Sequence, residues 1–171
     1  NSSKNIKRIF TKVLQGHIAV DTFELKEKTT GNDIDKVARK PLNSIKLDYP
    51  HGTGHGVGYF LNVHEGPQAI TKKNRVKLKE GMVLSNEPGY YLNKKFGIRI
   101  ENLISVRRNK SKLRFETLTL APIDKDLIDK KSLKQKEINW INEYHKNVFK
   151  KLRKFIDKSE MDAFRLLCSN L

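Results

Sequence analysis

The stretch HGTGHGVGYFLNVHEGP, His51–Pro67, holds three of the chain's five histidines among five of its ten glycines. On a helix, His51 and His55 would share one face, but so many glycines argue against helix. An extended or looped backbone with small neighbours fits better, and it lets another group approach closely. This is also where the character of the sequence changes. Reading outward from it in both directions therefore decides the fold.

Upstream the spacing is helical. Ile6, Ile9, Phe10, Val13 and Leu14 predict an amphipathic helix over about 4–22. The run Thr30-Gly31-Asn32-Asp33 reads as a turn and helix start, with Ile34, Val37 and Ala38 forming a second apolar face. Pro41 falls inside that pattern and is expected to end or kink the helix. Downstream, GMVLSNEPGYYL (Gly81–Leu92), GIRIENLISV (Gly97–Val106) and LRFETLTL (Leu113–Leu120) predict antiparallel strands, with LNKKFG (Leu92–Gly97) as a hairpin connection. After Pro122 the helical pattern returns. Ser132 with Gln135 suggests a capping box, Ile138 to Phe155 a long helix, and Glu160 to Leu167 a short one. Helices, then strands, then helices imply an α+β architecture, with no repeat and no linker to mark a domain boundary.

The 171 residues suffice for one domain with a real core. The composition is 37% apolar and 32% charged, with a mean hydropathy of −0.64 and no long apolar run, so no transmembrane helix is expected. One cysteine, Cys168, fits a reducing compartment, and cytoplasmic localisation is expected. The formal charge of +16 comes mostly from lysines spread along the whole chain without interleaved aromatics. It reads as a solvated surface rather than a nucleic-acid site.

Three groups could carry chemistry. His51 and His55 lie in the glycine-rich stretch, and His64 follows in a strand-to-turn context. Glu87 sits where a strand pattern meets Pro88-Gly89. Glu101 interrupts an otherwise apolar strand, where a carboxylate is costly without a partner or cation. One imidazole and two carboxylates from neighbouring strands suit Mn²⁺, Co²⁺ or Zn²⁺ better than a thiolate site would. Plainer readings stay open from spacing alone. The loop histidines could be structural, and Glu101 an edge acid paired with Arg99 or Arg107. His17 and His145 read as parts of packed helical faces and receive no role.

Taken in order, HGTGHGVGYFLNVHEGP, NEPGYY (Asn86–Tyr91) and FGIRIENLISV (Phe96–Val106) resemble the catalytic half of the Xaa-Pro aminopeptidases (aminopeptidase P). These are pita-bread metallopeptidases related to methionine aminopeptidase, prolidase and creatinase. VLQGHIAV (Val13–Val20) and FETLTLAPIDKDLID (Phe115–Asp129) match as well, so the resemblance covers nearly the whole chain. It implies a partial pita-bread fold, an antiparallel curved sheet with flanking helices. Residues 1–171 would be a single domain, about 1–122 being the pita-bread part and 123–171 a C-terminal helical extension.

The implied activity is hydrolysis of an N-terminal Xaa-Pro bond with two divalent metal ions, Mn²⁺ ahead of Co²⁺ or Zn²⁺. The resemblance makes His55, Glu87 and Glu101 metal ligands, with Glu101 bridging both ions and Glu87 also acting as general base. It gives His51 and His64 to the substrate and the tetrahedral intermediate, and sets Arg99 behind the ligands. A proline-containing peptide is the implied partner, and the resemblance admits a homodimer through the catalytic domain.

The family uses five protein ligands, and the first two are aspartates on strands before the first helix found here. None of the chain's aspartates lies in a matching motif; Asp21, Asp33, Asp35 and Asp48 fall at structural positions. The first residue is Asn1 rather than Met. The expectation is a C-terminal piece of such a catalytic domain, with little or no activity alone. The rivals are a prolidase-like dipeptidase of the same fold and a non-catalytic fragment or binding module.

Overall fold

The computed structural model describes residues 3–60 and 62–171. The elements run α1 (Lys4–Asp21), α2 (Gly31–Asn43), β1 (Gly54–Val57), β2 (Ala69–Ile70), β3 (Val83–Asn86), β4 (Gly89–Leu92), β5 (Phe96–Arg99), β6 (Asn102–Asn109), β7 (Lys112–Thr117), α3 (Gln135–Leu152) and α4 (Met161–Leu167). Short 3₁₀ turns lie at Lys125–Leu127, Lys130–Ser132 and Arg153–Phe155. This is the expected α+β mixture of helices and antiparallel strands. Among the described residues no helix is long and apolar enough to cross a membrane. By contact density the chain divides into two compact units, Lys12–Thr119 and a second made of Asn1–Thr11 with Leu120–Leu171.

The Lys12–Thr119 unit is built on a five-stranded antiparallel sheet in the order β2-β1-β3-β6-β7, with β4 and β5 forming a separate two-stranded ribbon. One face of the sheet buries Ile70, Leu84, Ile104, Val106, Leu113 and Phe115 against Val20, Leu25, Ile34, Ala38 and Leu78. The alternation of β7 (Leu113 and Phe115 in, Lys112 and Arg114 out) is the period-two pattern of a half-covered sheet. Gly16 permits the crossing of the two helices, because a Cβ there would collide with the Ala38 carbonyl oxygen of α2. Thr30 starts α2 through its own backbone N–H, which donates to Asp33 Oδ2 at 3.0 Å.

Pro41 does not break α2, which runs two residues further to Asn43. Proline removes one donor and crowds the preceding turn. In the last turn that cost is small, because the helix ends there in any case. The LNKKFG hairpin forms as expected, joining β4 to β5 with Leu92 opposite Phe96.

In the second unit, α3 starts two residues beyond the expected box. The Lys134 N–H donates to Glu137 Oε2 at 2.7 Å, while the Ser132 hydroxyl closes a turn on Asp129 Oδ2 at 2.6 Å. Glu137, not Gln135, is therefore the capping acid. α3 buries Ile141, Tyr144, His145 and Val148, and ends at Leu152; Phe155 lies past the end and is exposed. His145 Nε2 accepts from the Ile123 N–H at 3.0 Å, and Tyr144 donates to the Ala121 carbonyl at 2.8 Å. Lys125 Nζ donates to the carbonyls of Leu166 and Ser169 at the end of α4.

His17 on α1 is fully buried, and burial pulls its pKa down to about 4, with Asp21 opposing the shift. An unfolded imidazole takes a proton near 6.5, so between these values acid favours the unfolded chain. Stability from this group is complete above pH 6.5 and falls as pH drops towards 4, by about 3 kcal/mol over the window. Urea titrations at pH 7.0, 5.5 and 4.5 check this. In the His17→Gln variant the loss across that window shrinks.

Candidate metal centre

Strand register brings two carboxylates face to face. β3 pairs with β6 up to Asn86 opposite Asn102, and the β4–β5 ribbon begins with Gly89 opposite Arg99. The register is the same on both sides of the break, and the Ile100 N–H donates to the Pro88 carbonyl at 3.3 Å within it. Glu87 therefore falls opposite Glu101. Pro88 has no N–H to offer a ladder, which helps explain why regular pairing stops here. Like charges directly opposed across an antiparallel pair repel, so this position asks for a cation.

β1 delivers the third group. Gly54, whose Cβ would strike the Ser85 carbonyl oxygen, lets β1 press against β3. The His55 N–H then donates to Ser85 Oγ at 2.9 Å, and the Ser85 hydroxyl donates to Glu87 Oε1 at 2.9 Å. His55 Nδ1 lies 3.0 Å from the Gly56 carbonyl oxygen, which can only accept, so Nδ1 carries the proton. Nε2 then faces Glu87 Oε1 at 3.3 Å. Two electron-rich atoms so placed need a proton or a metal ion between them. His55, Glu87 and Glu101 each offer one ligand atom, and these lie within 4.8 Å of one another. Fixing one imidazole nitrogen by a carbonyl while the other turns to the ligand site is how metal-binding histidines are commonly held. The residues fit a divalent cation.

The expected neighbours occupy distinct places. Arg99 reaches Glu87 Oε2 at 3.4 Å, and Arg107 pairs with Glu116 at 3.0 Å, so neither arginine makes its ion pair with Glu101. Burial weighs against the Arg99 charge, but the Tyr91 hydroxyl and the carboxylates of Glu87 and Glu101 outweigh it and raise its pKa. The exposed His64 ring lies on His55, with centroids 3.9 Å apart. His51 sits further off. Its Nδ1 bonds the Gly52 carbonyl at 2.6 Å, and its Nε2 accepts from the Tyr91 hydroxyl at 2.9 Å. That hydroxyl accepts in turn from Arg99 Nε at 2.8 Å, so a polar chain joins His51 to Glu87.

Beneath the loop lies a buried network that sequence reasoning missed. Arg39 Nε pairs with Asp35 Oδ2 at 2.8 Å, both side chains being at most 5% exposed. Its other nitrogens donate to Asp48 Oδ1, the Tyr49 carbonyl and the His51 carbonyl at 2.7, 2.9 and 2.6 Å. Thr53 donates to Asp35 Oδ1 at 2.7 Å, and its carbonyl accepts the Glu87 N–H at 2.8 Å. Burial raises the Asp48 pKa, but hydrogen bonds from Arg39, the Tyr49 N–H and Lys72 together bring it below the usual value. Helix α2 thus holds the chain from Asp48 to Thr53, and through it the backbone of Glu87. The one signal in the sequence was an Asp–Arg pair four residues apart beside the apolar face of α2.

The sequence model of metallopeptidase family M24 matches residues 1–108, and that of the C-terminal region of the same peptidases matches 111–167. The chain is 47% identical over 178 aligned residues to a probable Xaa-Pro aminopeptidase P of Laccaria bicolor, covering 96% of this chain and 28% of the relative. It is also 47% identical to aminopeptidase P2 of Arabidopsis thaliana, covering 90% and 23%. Among solved structures, the X-prolyl aminopeptidase of Caenorhabditis elegans, described as a cytosolic enzyme with a di-nuclear active site, superposes with a TM-score of 0.91 at 38% identity. That match covers 100% of this chain and 30% of the worm chain. Prolidase from Pyrococcus furiosus gives 0.63 at 30% identity, covering 71% and 34%. The chain spans about a quarter of the length of the curated relatives it matches.

Removing one partner of the buried ion pair under the loop strands the other. Arg39→Gln is expected to cost about 3–5 kcal/mol in urea unfolding, and adding Asp35→Asn to recover part of that loss. A single variant as mild as an ordinary surface substitution, within about 0.5 kcal/mol, would contradict this.

Proposed function

This chain belongs to metallopeptidase family M24, and on that premise we propose that it is the C-terminal, ligand-bearing part of a metal-dependent aminopeptidase that cleaves an N-terminal residue from proline. The carrying observation is the convergence of His55 Nε2 with the opposed carboxylates of Glu87 and Glu101. Relatives named Xaa-Pro aminopeptidase reach 45–50% identity, whereas the prolidase is 30% identical, which favours the aminopeptidase reading over a dipeptidase.

His55, Glu87 and Glu101 would hold the metal, Mn²⁺ being the proposed ion and a second ion sharing Glu101. When bound, a divalent cation supplies Lewis acidity, making water nucleophilic near neutral pH and drawing electrons from a carbonyl. The rest falls to the chain's own side chains. Glu87 takes the proton of the attacking water and returns it to the proline nitrogen as the carbon–nitrogen bond breaks. Ser85 and Arg99 fix one oxygen each of that carboxylate, which orients it for transfer. His64, open to solvent above His55, contacts the substrate, and His51 joins it by exchanging Tyr91 for a substrate group. Their imidazoles then stabilise charge on the carbonyl oxygen.

Three ligands are few for two ions. We propose that two aspartates from a preceding part of the protein complete the set, and that this chain alone turns over little substrate. Two measurements test the reading. Titrating the chain with Mn²⁺ is expected to show weak binding, lost by at least about 10-fold in Glu87→Gln. An assay with Mn²⁺ and an Xaa-Pro tripeptide is expected to show near-background turnover. Turnover resembling that of an intact aminopeptidase would sink the claim of incompleteness, and no Mn²⁺ binding at millimolar concentration would sink the metal centre.

A further inference from the structure

We propose that His17, on α1, is a positioning residue that sets the distance between the two carboxylates of the metal centre. The inference rests on the metal-centre reading above. One residue of the helix holds both strands. The His17 carbonyl accepts from Asn86 Nδ2 at 3.0 Å, and His17 Nε2 accepts from Asn102 Nδ2 at 3.2 Å. Asn86 and Asn102 form the last register pair of β3 and β6 before the break. Each is covalently next to a ligand: Glu87 follows Asn86, and Glu101 precedes Asn102.

Strand geometry turns this tether into a placing device. Successive side chains on a strand leave opposite faces, so residues adjacent to Asn86 and Asn102 project away from α1 while the asparagines project towards it. Fixing the asparagines to one imidazole residue therefore fixes the roots of both glutamates. Contacts 69 and 85 residues apart in sequence meet at this one point. His17, Asn86 and Asn102 are 0%, 0% and 4% exposed, so three polar side chains lie in the interior, where an apolar trio would avoid their desolvation. Their place directly behind the opposed carboxylates gives that desolvation a use. Two repelling carboxylates drift apart unless their strands are held, and metal ligands must be placed to within about 0.5 Å.

The test is Mn²⁺ affinity of this chain, read by electron paramagnetic resonance of the free ion, with the visible spectrum of the Co²⁺ form as a second readout. His17→Leu fills similar space without an acceptor and is expected to weaken Mn²⁺ binding about 10-fold or more and shift the Co²⁺ bands. His17→Gln restores an acceptor and is expected to stay within about 3-fold of the parent affinity, in keeping with the tether rather than the ring as the active feature. Where His17→Leu does not fold, Asn102→Ala removes the same hydrogen bond from the strand side and carries the measurement. A purely structural role would lower the melting temperature and leave the affinity of the folded protein unchanged; that result overturns the proposal. An unmutated chain that binds no Mn²⁺ overturns the metal-centre reading and this inference with it, whereas parental binding with unchanged variants overturns this inference alone.

Discussion

Glu87 and Glu101 oppose one another across a break in an antiparallel pair, and much of the surrounding structure is a response to that repulsion. Two carboxylates at paired positions weaken a sheet unless positive charge stands near them. Arg99 brings one such charge to 3.4 Å from Glu87, and Ser85 gives the same carboxylate a hydrogen-bond donor. His55 turns its Nε2 to that carboxylate at 3.3 Å, so a proton or a cation belongs between them. A site that is stable only as a compromise among like charges is a site prepared for a cation.

Holding such a compromise in place requires strands that do not yield, and both helices of the Lys12–Thr119 unit contribute to this. α1 reaches the sheet through His17 and the two asparagines; α2 reaches the loop through Arg39, Asp35 and Thr53. Each tether is buried and polar. Apolar packing alone would be as stable or more so, because desolvating ions and amides is costly. It would be less exacting, however, since hydrophobic contacts tolerate small slides that hydrogen bonds do not. The polar interior therefore concentrates under the carboxylates and the histidine loop, while the sheet further along β6 and β7 packs through Ile104, Val106, Leu113 and Phe115.

This division explains what could be read from the sequence. The apolar periods gave the α1, α2 and α3 regions, and turn chemistry gave the β4–β5 hairpin, because both signals are local. His55, Glu87 and Glu101 were visible since an imidazole among glycines and acids at strand breaks are odd local choices. What stayed hidden depends on register and long-range contact. Arg99 was readable as a partner of Glu101, yet its ion pair is made with Glu87 across the break. Tyr91 gave no sign of bridging His51 and Arg99, since a tyrosine in a strand is ordinary. His17 read as one more packed residue, its partners lying 69 and 85 positions away. Pro41 and Ser132 misled because the outcome at a helix end depends on which turn is last.

The charge of the whole chain sharpens the point about the cation. The protein carries a formal +16, which repels metal ions at long range. That field is screened over about 8 Å at physiological ionic strength, so it governs approach more than binding. Within the centre, two carboxylates and one guanidinium leave a single negative charge, with the His55 imidazole beside them. One uncompensated charge suits a divalent ion only partly, because the complex still carries an excess positive charge. Further anionic ligands would remove that excess and allow a second ion beside the first. That charge balance is in keeping with the proposal that further carboxylates complete the set.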